Sequence, residues 1–342
     1  MDKPYNVCIV GYGFMGSTHA SAWRLTGKAE VKAFIGRNLD RAREVASKYS
    51  ARTYSTLSEA LEKEEVDIVD ICTPTYTHRD FTVEAAEAGK HILCEKPIAL
   101  TLEDADEMIR ASEKADVKFM VAHCLRFFAE YAKVKELVEN GAIGDPVISR
   151  ALRAGPLPTW GTWFSDQSKS GGVAVDLAIH DIDFLRWCYR DEVERVYASV
   201  GRLVRSDLGM DDHALILLRF RGGGIAHVEA SWAVPQQYPF TMMMEIAGTK
   251  GIISMDNHST VPVKVVKDDS TQAYAPDTLP WIPGIPFPID PYYREILHFL
   301  ECIEADKKPL TDGLEAKKAL AVALAARESS RKGEPVTPEL HG

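Results

Sequence analysis

Residues 7–16 read VCIVGYGFMG. A short apolar run that stops at glycine is a buried strand, and the G-x-G-x-x-G at Gly11, Gly13 and Gly16 opens the next segment, Gly16 to about Leu25, which reads as a helix. Few local patterns constrain a chain as much. The first glycine permits a tight turn, the second lets a pyrophosphate approach the backbone, and the third lets helix and strand pack closely. Amides at the helix N-terminus then face the phosphates. The bare pattern is weak, and a glycine turn without a ligand is the bland alternative. The required strand before it and helix after it are both present, so it implies a dinucleotide-binding unit.

The rest of the first third repeats the alternation. VKAFIG (31–36) is a second strand, and Asp40 is a candidate cap for the helix that runs to about Tyr49. A short helix follows from Ser58 to Lys63. VDIVDICTP (66–74) is a third strand, stopped by Pro74, and Phe81–Ala88 is a helix with Gly89 as its C-terminal cap. HILCE (91–95) is a fourth strand. A helix at 102–114 and the strand VKFMVA (117–122) complete the series. Val- and Ile-rich strands alternating with amphipathic helices imply a doubly wound parallel sheet.

After about residue 123 the pattern changes. A helix (129–139) and a strand near 146–153 lead to a polar loop, 155–172, and a helix at about 174–188. Strands then come in succession at 193–204, 213–221, 224–233, 241–248, 251–255 and 262–267, joined by turns such as RGGG and AGTKG, which implies antiparallel pairing. Residues 268–291 read as a loop. Two helices, 292–305 and 313–331, close the chain. The expected fold is therefore α/β: an N-terminal Rossmann dinucleotide-binding domain, 1–122, and a C-terminal α+β domain, 123–342, with a large, mainly antiparallel open sheet. Helix 313–331 is a candidate to pack back on the first domain.

A chain of 342 residues with 46 % hydrophobic and 26 % charged residues can bury two cores. A net charge of −10 without a basic stretch argues against a nucleic-acid partner. No run approaches the ~18 apolar residues of a membrane span, and no signal-peptide pattern begins the chain. The six cysteines, Cys8, Cys72, Cys94, Cys124, Cys188 and Cys302, form no CxxC pair. They read as free thiols in a reducing cytoplasm.

Three further features carry chemistry. The second strand ends in Gly36-Arg37-Asn38, where an Asp or Glu would bind the ribose 2′-hydroxyl of NAD. A guanidinium there suits a 2′-phosphate or the adenine face, which favours NADP over NAD; an exposed arginine beside an NAD site is the alternative. Glu95-Lys96-Pro97 places a lysine beyond the C-terminal end of a parallel strand, where such sheets bind ligands. In GGVAVDLAIHDIDFLRW (171–187), Asp176 and His180 are four apart and share one face of a helix. Histidine titrates near neutrality and can take a hydroxyl proton. The HDID run offers oxygen ligands, but no compact set of further ligands marks a zinc site, and no metal is expected.

Together these elements resemble the glucose–fructose oxidoreductase / inositol dehydrogenase (Gfo/Idh/MocA) family. GYGFMG (11–16) looks like its cofactor loop, CEKPIAL (94–100) like its E-K-P element, VAHCLRF (121–127) like its linking segment, and the 171–187 helix like its D-x-x-x-H element. The resemblance implies an NAD(P)-dependent enzyme acting on a hydroxyl of a sugar, sugar derivative or cyclitol, with Lys96, Asp176 and His180 as the catalytic trio. It implies a cofactor set of Gly11, Gly13, Phe14, Met15, Gly16, Arg37, Thr73, Pro74, His78, Glu95, Lys96, Arg126 and Trp163. Substrate contacts are expected from Lys96, His123, Trp163, Asp176 and His180, with Trp160, Arg126, Tyr292 and Tyr293 as further candidates for the substrate wall. A homo-oligomer joined through the C-terminal sheet is expected. The competing classes are a non-redox protein that holds NAD(P) structurally, and an enzyme that uses a tightly bound NAD transiently.

Overall fold

Strands β1 (Tyr5–Val10), β2 (Ala29–Ile35), β3 (Arg52–Tyr54), β4 (Ile68–Ile71), β5 (His91–Glu95) and β6 (Phe119–Ala122) form one parallel sheet in the order β3-β2-β1-β4-β5-β6. The computed structural model describes residues 3–279 and 289–340. Helices α1 (Phe14–Thr26), α2 (Leu39–Ala46), α3 (Leu57–Lys63), α4 (His78–Glu87) and α5 (Leu102–Lys114) connect these strands. β4 and β6 are buried throughout. That is why they read as continuous apolar runs rather than alternating ones, since helices cover both faces of such a sheet. The strand order reverses between β1 and β4, and this switch point is where an open α/β sheet leaves a crevice at its C-terminal edge.

The short edge strand β3 was not expected from the sequence, because three residues give no usable period. Asn38, not Asp40, caps α2, its side-chain oxygen accepting the Arg41 N–H at 3.1 Å. Asp40 falls in the first turn, where its charge still suits the positive end of the helix dipole.

The second sheet contains β7 (Pro146–Ala154), β8 (Val193–Gly201), β9 (His213–Phe220), β10 (Ile225–Ser231), β11 (Thr241–Gly248), β12 (Gly251–Asp256), β13 (Val263–Val266) and β14 (Thr271–Tyr274). Its order is β14-β13-β12-β11-β7-β10-β9-β8. Every pair is antiparallel except β7 with β10. β9 alternates buried and exposed residues along its length, as a strand with one face on a core must. β14 lies in the stretch read as a loop, 268–291, whose last two residues open the helix Asp290–Glu304; its residues 280–288 fall outside the described residues. The helices here are α6 (Ala129–Glu139), α7 (Gln167–Ser170), α8 (Val173–Asp176) and α9 (Ile179–Tyr189), followed by α10 (Asp290–Glu304) and α11 (Gly313–Lys332).

The chain divides into two compact units that differ from the expected 1–122 and 123–342. One consists of 1–124 with 279–317, the other of 125–278 with 318–342. Helix α10 therefore belongs to the unit of the parallel sheet, where it packs on α1. The division falls inside α11, so only its first turn joins that unit. All six cysteines are free thiols. Among the described residues, no helix is long and apolar enough to cross a membrane.

Candidate active site

At the switch point the three glycines do what their spacing requires. Gly11 has φ +109°, and a Cβ there would lie 2.5 Å from the Cys72 carbonyl oxygen, so the ends of β1 and β4 approach more closely than any side chain allows. A Cβ on Gly16 would lie 2.2 Å from the Gly11 carbonyl oxygen. A Cβ on Gly13 would meet nothing within 4 Å. Gly13 is the N-cap of α1, whose first turn has no side-chain cap and no acidic residue. Its amides and positive dipole end are therefore left without a side-chain cap or a carboxylate of their own, which fits the pyrophosphate of a dinucleotide. Phe14 and Met15 are half-buried on the first turn.

Tyr12 lies across the turn after β2. A Cβ on Gly36 would overlap its ring, and the Asn38 N–H donates to its hydroxyl at 3.3 Å. Arg37 is exposed beside this turn. Thr73 and Pro74 follow Cys72 at the end of β4, half-buried against the same crevice edge, with Thr73 Oγ1 accepting from Thr77 Oγ1 at 2.7 Å.

Lys96 and His123 are neighbours at the next strand ends, because Glu95 pairs with Ala122 in the β5–β6 ladder and each is followed directly by the functional residue. Lys96 is half-buried, whereas His123 is buried. The Lys96–Pro97 peptide bond is cis. Glu95 is buried, with Oε2 accepting the Lys96 backbone N–H at 3.0 Å. Burial alone would raise the Glu95 carboxyl, but His19 and Lys96 outweigh it and hold it below the usual range.

The other unit carries Asp176 and His180, but not on one continuous helix. Gly171 and Gly172 take left-handed conformations, with φ +80° and +75°, and turn the chain into α8. Both the Leu177 and Ala178 N–H groups then point to the Val173 carbonyl, after which Asp181 N–H bonds back only three residues, to Ala178. This slip from long to short hydrogen bonds separates α8 from α9. Irregularities of this kind inside helices are frequent at functional sites. Asp176, buried, ends α8, and His180, half-buried, stands in the first turn of α9. Gln167 on α7 grips Asp211 through both side-chain ends, at 2.6 and 2.7 Å, and the Val173 N–H reaches the Asp211 carbonyl, so the entry to α8 is anchored.

Residues 5–123 match the oxidoreductase family with an NAD-binding Rossmann fold, and residues 131–254 match the GFO/IDH/MocA C-terminal domain. Myo-inositol 2-dehydrogenase of Thermotoga maritima is 32 % identical over 97 % of this chain and 98 % of its own length. The chain belongs to the Gfo/Idh/MocA oxidoreductase family. Among other relatives, scyllo-inositol 2-dehydrogenase (NAD(+)) of Bacillus subtilis is 30 % identical over 98 % of this chain and 97 % of that protein. The crystal structure of a probable dehydrogenase from T. maritima superposes with a TM-score of 0.84 at 30 % identity, covering 97 % of this chain and 98 % of that one.

Several residues expected at the Gfo/Idh/MocA site do something else. His78 is buried, with Nδ1 2.9 Å from the Pro97 carbonyl and Nε2 2.9 Å from the Thr73 carbonyl. Both ring nitrogens face protein acceptors, so the ring ties the turn after β4 to the turn carrying Lys96. Burial holds the ring below the ordinary imidazole range. Arg126 is also buried. Its Nε and Nη2 donate to the two oxygens of Asp183 at 2.8 and 2.6 Å, and its guanidinium lies 5.4 Å from the Trp187 ring. It anchors α9 and does not offer that edge to a phosphate.

Asp181 is likewise spent on Arg153, at 2.7 and 3.1 Å. Both acids of HDID, Asp181 and Asp183, are thus engaged by arginines. Trp163 is half-buried and stacks on Phe164 with centroids 3.9 Å apart, while Trp160 is exposed. Tyr292 is half-buried, its ring centroid 6.2 Å from that of His19 in the unit of the parallel sheet.

One cluster was missed. His19, Asp70 and Cys72 are the one set among the described residues whose side chains could jointly hold a metal ion. Their polar atoms are already committed to one another and to Trp23 by hydrogen bonds. Asp70 gave a usable signal, being a carboxylate inside an otherwise apolar strand, and a buried polar residue is the informative exception.

Proposed function

We propose that this protein is an NAD(P)-dependent dehydrogenase or reductase that interconverts a secondary hydroxyl and a ketone on a sugar, sugar derivative or cyclitol. The observation that carries this reading is the open, uncapped helix N-terminus at Gly13, with Lys96 at the end of β5 in the same sheet. The relatives named for inositol oxidation, alike over nearly their whole length, support the substrate class.

The residues that would hold the cofactor are Gly11, Gly13, Gly16 and the first turn of α1 for the pyrophosphate, with Thr73 and Pro74 along the crevice edge. When bound, the nicotinamide supplies a hydride acceptor or donor. His180 takes the proton of the reacting hydroxyl, and Asp176 orients the imidazole or a neighbouring hydroxyl. Lys96, an ammonium, stabilises the oxyanion that develops as the proton leaves. Arg37, exposed after β2, favours the 2′-phosphate of NADP. The outer face of the second sheet exposes Tyr197, Leu215, Leu217, Ile225, Ile148 and Met243, a patch suited to burial between copies of the chain.

Absorbance at 340 nm with a panel of cyclitols, aldoses and anhydrosugars, run with both cofactors, tests this reading. Net NAD(P)H formation is expected, with a lower KM for NADP than for NAD. Lys96→Met and His180→Ala are each expected to lose about 10²-fold or more in kcat. Near-normal turnover in either variant would refute that residue's role, and a large preference for NAD would refute the role of Arg37.

A further inference from the structure

Behind the strand that ends at Lys96 lies a buried line of charges. His19 on α1, Asp70 in β4 and Glu95 at the end of β5 are each less than a tenth exposed. His19 Nδ1 is 3.0 Å from both Asp70 oxygens. Trp23 Nε1–H donates to Asp70 Oδ2 at 2.7 Å, so this carboxylate is gripped by two residues four apart on one face of α1. The opposite ring nitrogen, Nε2, is 3.3 Å from Glu95 Oε1, an ion-pair contact without the geometry of a hydrogen bond. The other oxygen of Glu95 accepts the backbone N–H of Lys96 at 3.0 Å. A continuous series of contacts thus runs from Trp23 through Asp70, His19 and Glu95 to the peptide that bears the Lys96 ammonium.

Further elements packed near the ring add groups to this arrangement. Cys72, just after β4, has its Sγ 3.4 Å from His19 Nδ1. Helix α10 places the Tyr292 ring beside it, tilted at 46° with centroids 6.2 Å apart, and Glu295, with no exposed surface, interacts electrostatically with His19, Glu95 and Asp70. Two carboxylates flank one imidazole, an arrangement that needs the ring charged. Burial opposes that charge, but Asp70 and Cys72 hold the imidazole well above its usual range.

We propose that His19 is a positioning residue for Lys96. Its imidazolium, fixed by Asp70, holds the Glu95 carboxylate in the one orientation that grips the Lys96 backbone N–H. A ring of the wrong shape or charge releases the turn that aims the ammonium, and supporting contacts of this kind fix functional side chains to a fraction of an ångström. The inference rests on the reading of Lys96 as the group that meets the reacting oxygen.

The test uses the full-length protein with His19→Gln and, because a lone buried Asp70 can compromise folding, the neutral double variant His19→Gln/Asp70→Asn. Three quantities are read: the Kd for NADH from quenching of tryptophan fluorescence, the rate of acetic anhydride labelling of Lys96 in the cofactor-free protein followed by mass spectrometry, and kcat with its KM values. The expected result is a Kd within about threefold of the parent, a Lys96 labelling rate changed at least threefold, and kcat lowered by about 10²-fold, the scale of a displacement near 1 Å. An unchanged labelling rate and kcat in the double variant would overturn the positioning role while leaving an inactive Lys96→Met, and so the function, in place. A Lys96→Met variant that kept normal turnover would overturn the functional reading and this inference with it.

Discussion

Glu295 is a carboxyl group with no exposed surface, and neither of its oxygens has a hydrogen-bond partner among the described residues. Burial, the largest influence, raises it; Glu95 and Asp70 add to the rise, and His19 opposes it, leaving the group well above the ordinary carboxylate range. The folded protein therefore holds a proton on Glu295 that the unfolded chain releases near pH 4.3. A group raised on folding adds stability that is complete below its unfolded value and is lost as pH rises toward its folded one. One extra proton bound in the folded state gives a slope of about 1.4 kcal/mol per pH unit. Across two units of that window the loss is about 2.7 kcal/mol, a large share of a typical stability of about 5–15 kcal/mol.

Glu295→Gln keeps the shape, removes the titration and so removes the slope. His19, also raised, loses stability in the same direction as pH climbs, but it does so in both proteins and cancels in the difference. Urea unfolding followed by fluorescence at about pH 5, 6, 7 and 8 should show the variant gaining on the parent by about 1.4 kcal/mol per unit through the lower part of that range. A constant difference from pH 5 to 7 would mean that Glu295 is ionised in the folded protein, and the reasoning would fail.

Two further outcomes follow from packing. Gly16→Ala sets a Cβ 2.2 Å from the Gly11 carbonyl oxygen, so the first turn of α1 must move; a loss of about 1–3 kcal/mol in stability and at least tenfold weaker NADH binding by fluorescence titration are expected. Arg153→Met strands Asp181, which is buried and has Arg153 as its bidentate partner. Thermal and urea denaturation should show about 3–5 kcal/mol lost, and Arg153→Met/Asp181→Leu should recover most of it.

The cradle at Gly11–Gly16 and the lysine after β5 were legible in the sequence because each rests on a local requirement, a positive φ, a close backbone approach or a strand end. The break between α8 and α9 was not, because no glycine or proline marks Leu177–Ala178 and the slip of hydrogen bonds leaves no residue-type trace. Arg126 read as a residue of the cofactor site and the substrate wall because its partner, Asp183, lies 57 residues away. The same distance problem hid the His19–Asp70 pair, 51 residues apart. The compact units differ from the division read in the sequence for a related reason: α10 has the amphipathic pattern of any surface helix, and nothing in that pattern states which core it covers.

That return of α10 to the first unit bears on how the protein is made. A ribosome has synthesised all of the parallel sheet by residue 122 but must extend the chain to about residue 304 before the helix that packs on α1 exists. Until then the nascent sheet lacks Tyr292 and Glu295 and leaves the α1 surface uncovered during elongation at ~5–20 residues per second. The unit of the parallel sheet, though encoded first, is completed almost last, and a fragment ending at residue 124 lacks the helix that covers α1.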